Sequence, residues 1–566
     1  MPIWLALSMV LGVVIGTFYA KHIAGGRSNV RDVGGYLRIN TAPGLKKMNS
    51  LLELLDDQYV DTVNMVDVVE KAIPQILSEL DPHSVYLPAK EAQTANDDLR
   101  GSFSGVGIEF VIRNDTLRVQ NVIADGPAEN AGVLAGDKIV TVDDSVFTGK
   151  ELTNELAMSK LKGPSGTKVK LGVLRYGEKE QREFTVTRGE IPMTSVAAVY
   201  MLDDETGYMK IKNFGENTYR EMLVGLARLA MDGFQQLVID LRGNTGGYLE
   251  AAQKIANEFL PRNRIIVYTE GRRSPKMVYS SDGHGTYPRM PLVVLIDEGS
   301  ASASEILAGA IQDNDRGTII GRRSFGKGLV QQPVEFNDGS MMRLTVARYY
   351  SPSGRCIQKP YVSGQDKDYE EDLMQRYQHG EFFNQDSIKH TGPEYHTVMG
   401  RTVYGGGGIT PDIFVPEDTT DYTSYYKEAA MTGLILQFAY DYTDENRPTL
   451  SQFTTQQELV RFLKKKHLVE QFAQYAEKRG LKRRNLMIKR SYRLLEEYIM
   501  SRMVYNLLDE DAWVEYLNRD DPAVKEALRV FKQGLAFPQP PTKEAGQQVA
   551  MSKGHSRWAT VARNLA

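Results

Sequence analysis

Asp297-Glu-Gly-Ser-Ala-Ser-Ala-Ser304, running on into Glu305-Ile-Leu-Ala-Gly-Ala-Ile311 and followed by Ser324-Phe-Gly-Lys-Gly328, decides how the rest of this chain is read. Just before it, Pro291-Leu-Val-Val-Leu-Ile296 is an apolar run too short for a helix and predicts a buried strand. That strand empties into a turn of very small residues, Gly299 to Ser304, and residues 305–311 have a helical composition. A serine at a strand-to-helix turn lies beside unpaired backbone N–H groups, where negative charge is stabilised. Acyl transfer needs that arrangement, because its tetrahedral intermediate carries an oxyanion. Thr318-Ile-Ile-Gly321 predicts a second strand, after which Lys327 stands between two glycines that let the backbone approach other groups closely. A lysine serves as a base only when desolvation lowers its pKa, and a lysine beside a serine is one form of nucleophile–base pair. On these residues alone, an exposed or phosphate-binding lysine in a small-residue loop is an equal alternative.

The stretch closely resembles the carboxyl-terminal processing peptidases (tail-specific proteases), serine peptidases with a Ser–Lys dyad and a PDZ domain. There, a serine of a Ser-Ala-Ser-Glu phrase pairs with the lysine of a Phe/Tyr-Gly-Lys-Gly turn 25 residues later. Counting back from Lys327 selects Ser302 over Ser300 and Ser304. The resemblance implies Ser302 as nucleophile, Lys327 as general base and Gln331 as the group that orients the lysine. It also implies a crotonase-like α/β peptidase core carrying an inserted, β-rich PDZ domain.

Residues 101–189 read as that module, with strands at 106–112, 117–124, 138–142, 169–175 and 183–187 and a helix at 152–161. The resemblance places a carboxylate-binding loop at Gly105, Val106, Gly107 and Ile108. Consecutive N–H groups in a glycine loop can capture a chain terminus, while the next strand's edge adds the peptide as a further strand. In the core, 190–416, Asp240-Leu-Arg-Gly-Asn-Thr-Gly-Gly247 forms a glycine turn without the Lys-Ser/Thr of a nucleotide loop. By resemblance, Gly247 and Ala303 supply the oxyanion-hole N–H groups, and Asp240 and Arg242 fix the turn. A rival triad through His284, in the polar loop Ser-Asp-Gly-His-Gly, has no sequence reason to face Ser302. His83 of Asp81-Pro-His-Ser84 is read as structural.

At 566 residues the chain has room for about three or four domains. Apolar content of 42% and charged content of 25% are those of a globular protein. A net charge of −4 offers no ground for a nucleic-acid partner, and none is expected. The single Cys356 excludes an internal disulfide framework, and the eight histidines show no His-Glu-x-x-His pattern. No metal or organic cofactor is expected.

Residues 3–20 are an apolar stretch just long enough to span a bilayer, with no Ala-x-Ala cleavage site. They predict an uncleaved inner-membrane anchor for a periplasm-facing protein of the bacterial envelope, although Lys21, His22 and Arg27 follow the segment rather than precede it. A tether, 21–44, and a helical lead-in, 45–100, come next. The core carries a polar insertion at 359–404. Beyond it lie a helical C-terminal domain, 420–537, and a tail, 538–566. Helices are expected at 425–442, 455–479, 494–508 and 522–531. The expected activity is endopeptidase cleavage of polypeptides recognised by their C-termini; a non-catalytic tail-binding scaffold is the alternative, and self-association is left open.

Overall fold

In the core, apolar strands lie side by side in a mixed six-stranded sheet. Its order is Val196–Met201, Thr206–Ile211, Gln236–Asp240, Leu292–Ile296, Thr318–Gly321 and Ile413–Phe414. The first pair is antiparallel and all later neighbours are parallel. The computed structural model describes residues 43–540 apart from 176, 177, 179 and 391. The segment 3–20, almost all of the tether and the tail from 541 lie outside the described residues. No helix among the described residues is long and apolar enough to cross a membrane. The chain divides into two compact units, up to residue 72 and from residue 73. The first contains the largely exposed helix Pro43–Gln58. All that follows concerns the second.

A parallel sheet must be covered on both faces, and its strands are accordingly apolar throughout. Leu237, Ile239, Val294, Ile296 and Ile319 face one way, onto the helices Thr218–Met231, Leu249–Phe259 and Ala303–Asp313. Their alternates Val238, Val293, Leu295 and Ile320 face the other way, onto Val524, Ala527, Val530 and Phe531 of the helix Pro522–Lys532. The C-terminal region is thus part of the core's architecture. A second, antiparallel sheet joins Val85–Leu87, Leu329–Glu335, Met341–Tyr350, Ile265–Glu270 and Met277–Ser280.

The β-rich module has the sheet order Ile108–Arg113, Thr116–Val122, Lys138–Val142, Lys168–Leu174, Arg182–Thr187. Ile108–Arg113 is an edge strand, and the helix Asn154–Leu161 belongs to the same small core. The C-terminal bundle has a core of its own, including Phe438, Phe472, Leu495 and Met503. Two helices expected there as continuous are broken. Gly433 separates Ser424–Met431 from Leu434–Leu450 at φ 70°, and His467 separates Gln456–Leu463 from Leu468–Lys478 at φ 52°. Glu510–Asn518 is a further helix that the sequence reading left out.

If Pro522–Lys532 completes the core, Phe531→Ala should destabilise the protein by about 3 kcal/mol, whereas the exposed Lys525→Ala should stay within about 0.5 kcal/mol. Thermal unfolding of both variants checks this.

Candidate active site

Three adjacent parallel strands end at the same edge of the sheet, and each is followed by one of the turns singled out in the sequence. Gln236–Asp240 leads to the glycine turn 243–247, Leu292–Ile296 to Ser302, and Thr318–Gly321 to Lys327. Ligand sites in such sheets form beyond the carboxyl ends of the strands, where loops converge.

The turns are bonded to one another. Ala301 N donates to the Asn244 carbonyl at 2.9 Å, Gly243 N to Asp297 Oδ1 at 2.8 Å, and Phe325 N to the Ser300 carbonyl at 3.0 Å. Of the three serines, Ser300 Oγ donates to the Leu241 carbonyl and Ser304 Oγ to the Asn244 carbonyl, both at 2.8 Å and both buried. Those hydroxyls hold the turn together. Ser302 sits at φ 56°, a left-handed conformation that costs a non-glycine residue about 1–3 kcal/mol. At Gly246, φ 104°, a Cβ would lie 2.7 Å from Ser302 Cβ, so only glycine lets the two turns touch. The Gly247 and Ala303 N–H groups have no hydrogen-bond partner among the described residues.

Glu305, which the sequence reading passed over as an ordinary helix residue, is the buried link between serine and lysine. Its carboxylate accepts from Ser302 N at 2.8 Å, Ser324 Oγ at 2.5 Å, Gly326 N at 2.7 Å and Lys327 N at 2.9 Å. Burial pushes its pKa up to about 7, against these four bonds, which favour the anion. The only signal in the sequence was a carboxylate in the first turn of an otherwise apolar helix. The Tyr349 hydroxyl adds a second link, 3.1 Å from the Ser302 carbonyl and hydrogen-bonded to that of Lys327.

Lys327 Nζ makes no hydrogen bond or ion pair among the described residues, and it is not hydrogen-bonded to Ser302 Oγ. Burial first, then the charge of Arg343, lowers its pKa, with Glu305 and Asp81 opposing. Gln331, expected to orient the lysine, makes no hydrogen bond to it among the described residues. It pairs across strands with Thr345 at a bulge, and its amide donates to Thr345 Oγ1 at 3.3 Å. Thr345 Oγ1 in turn donates to Asp81 at 3.0 Å. His83 is nearer the site than its reading as plain packing suggests. Its Nε2 lies 2.7 Å from Tyr369 Oη, and burial followed by the Lys327 charge lowers its pKa to about 4.

Tyr369 belongs to the insertion, which forms a helix, Asp366–Gln378, and grips the lysine turn. Arg376 donates to the carbonyls of Ser324 and Arg323, and Arg323 pairs with Glu381 at 2.7 Å. His284 is exposed in a surface loop beside Asp282. Cys356 is free, and burial raises its thiol pKa. In the β-rich module, Val106 and Gly107 N–H groups are unpaired among the described residues, with Gly107 at φ 80°. A cavity of about 350 Å³ lies between strand and helix, lined by Phe110, Val111, Ile112, Leu152, Thr153 and Asn154.

Glu305→Gln offers one acceptor where four donors converge and turns an NH₂ towards them. Because a misplacement of about 1 Å can cost about a hundredfold, kcat should fall by roughly that factor with the fold retained. An acid whose folded pKa is raised stabilises fully below its unfolded value, and that contribution is lost as pH rises through the folded one. Wild type's stability relative to Glu305→Gln should therefore decline between pH 4.5 and about 7. Denaturant titrations across that range test the sign.

Residues 205–370 match the model of peptidase family S41, and residues 104–187 match a PDZ domain. Residues 425–509 match a family of unknown function. A carboxy-terminal-processing protease of Bartonella bacilliformis is 36% identical over 323 residues, 56% of this chain and 74% of that one. The carboxy-terminal processing protease CtpB of Bacillus subtilis is 34% identical over 333 residues, 57% and 68% of the two chains. Among solved structures, the photosystem II D1 C-terminal processing protease is 31% identical, with 56% of this chain and 90% of that one covered and a TM-score of 0.31. With its S41 core, its PDZ module and relatives at this level of identity and coverage, the chain belongs to the carboxy-terminal processing proteases, serine peptidases of family S41.

Proposed function

We propose that this peptidase hydrolyses polypeptides with a Ser302–Lys327 dyad after its PDZ module has captured their C-termini. The observation that carries the reading is that the turns of Ser302 and Lys327 are bonded to each other and to one buried carboxylate, with a strained serine, a half-buried lysine and two N–H groups that have no partner among the described residues. Neutral Lys327 takes the proton of Ser302 Oγ as that oxygen attacks the scissile carbonyl. The N–H groups of Gly247 and Ala303 stabilise the oxyanion. As the tetrahedral intermediate collapses, the C–N bond breaks and protonated Lys327 gives its proton to the leaving amine. Water, deprotonated by the same amine, then hydrolyses the ester on Ser302. Glu305 holds both turns in register throughout. Gln331 and Asp81 act at one remove, through Thr345 and the strand that carries it.

Capture rests on the Gly105-Val-Gly-Ile108 loop, whose unpaired N–H groups suit a carboxylate, and on the free edge of Ile108–Arg113, where a peptide can add as a strand.

Ser302→Ala and Lys327→Ala should each abolish cleavage while leaving the fold intact, and the double variant should lose little more, since the pair acts as a unit. Substantial activity in folded Lys327→Ala would sink the dyad. Because the base must be neutral, kcat/KM should rise with pH through the lowered lysine pKa, and Lys327→Arg should be inactive. A peptide supplied as free acid and as C-terminal amide separates capture from chemistry. The amide should bind more weakly by about 1.5–3 kcal/mol, the worth of a charge-assisted hydrogen bond. Equal cleavage of the two at limiting concentration would remove tail recognition from the account.

A further inference from the structure

The edge strand Ile108–Arg113 presents two phases of side chains. Ile108, Phe110 and Ile112 pack towards the module's own core. Glu109 and Arg113, on the other phase, meet the C-terminal bundle. Tyr505 Oη lies 3.2 Å from Glu109 Oε2, and Arg113 donates to the Gln437 carbonyl and pairs with Asp441. Arg118 with Asp444 at 3.0 Å and Gln120 with Asn506 at 2.9 Å extend the contact along the next strand. Between the two surfaces is a cleft of about 690 Å³, whose lining includes Val111, Arg113, Tyr440, Arg502 and Trp513. It shares Val111 and Ile112 with the cavity between strand and helix, so both border this strand.

The cleft carries a cation without a counter-charge. Asp441 serves Arg113 and lies 3.7 Å from Arg479, and Glu510, the lining carboxylate, is held by Lys212 at 2.9 Å. Arg502 has no ion pair among the described residues. Its guanidinium lies over the rings of Tyr498 and Trp513, 5.5 and 5.3 Å from their centroids. Arg502 Nε, Trp513 Nε1 and the Tyr440 hydroxyl are buried without a hydrogen-bond partner among the described residues. The rings hold the cation in place but use none of its donors, and a carboxylate on a ligand would satisfy both charge and hydrogen bonding.

We infer that this cleft is a second specificity subsite for the substrate's tail, taking an acidic side chain upstream of the C-terminus. The inference rests on the tail-capture reading above. A terminal carboxylate held by the loop ahead of Ile108 makes the added peptide run antiparallel to Ile108–Arg113. Its side chains alternate between faces, and those opposite Val111 and Arg113 point to the bundle's side. At one residue per cross-strand pair, the acidic position falls about three to five residues before the terminus.

The test uses the full chain carrying Ser302→Ala, so that bound peptide is not turned over. Labelled peptides of one sequence carry a single aspartate, moved step by step through the upstream positions, against an asparagine control. Each is made as free acid and as amide, and binding is read by fluorescence anisotropy. Aspartate at alternate positions should tighten binding by about five- to tenfold, and at the positions between by little. The gain should vanish in Arg502→Gln and persist in part in Arg502→Lys, which keeps the charge. Free acid preferred over amide with no aspartate effect, or an effect that survives Arg502→Gln, overturns the subsite alone. Equal binding of acid and amide overturns tail capture, and the subsite with it.

Discussion

One buried carboxylate organises the active site. Glu305 lies in the first turn of the helix Ala303–Asp313, where its charge suits the helix N-terminus, and it accepts hydrogen bonds from both the Ser302 turn and the Lys327 turn. Removing such a group from water is costly, and burial raises its pKa towards neutrality. Four convergent donors offset that cost. The strained backbone of Ser302 persists because Glu305, Asn244 and Tyr349 over-determine the turn around it.

Sheet topology explains why these turns meet at all. The strands at 236, 292 and 318 are parallel neighbours, so their C-terminal ends lie side by side although the residues following them are far apart in sequence. Three short loops then deliver a glycine turn, a serine and a lysine to one edge. Each loop touches the next through backbone hydrogen bonds, and the Gly247 and Ala303 N–H groups are left without a partner among the described residues.

Two additions to the core prove to be structural parts of it. The insertion's Arg376, Glu381 and Tyr369 pack on the lysine turn, so that turn is held from outside as well as by Glu305. The C-terminal region covers the second face of the sheet with Pro522–Lys532 and grips the PDZ module with the Asp441 and Asp444 pairs. Arg242 ties the glycine turn to Asp521 at the start of that helix at 2.7 Å, joining site and bundle directly.

Local chemistry was legible in the sequence. Apolar runs such as 291–296 and 318–321 could only be short buried strands, glycines marked the turns, and a serine and lysine stood out at those turns because their surroundings were so small. Helix breaks at Gly433 and His467 were missed because one residue in a left-handed conformation interrupts a helix without disturbing its apolar periodicity. Glu305 was not legible as a linchpin, since a glutamate in a first helical turn ordinarily faces water. Gln331 was assigned to the lysine by resemblance alone; in the structure it follows a β-bulge and its amide donates to Thr345. The roles of the insertion and the C-terminal helices depend on contacts between residues tens to hundreds of positions apart. Sequence by itself determined which segments form strands, turns and helices, because hydrophobic period and turn chemistry are local. Only the tertiary structure decided which buried polar groups satisfy one another, because that depends on which elements the sheet order brings together.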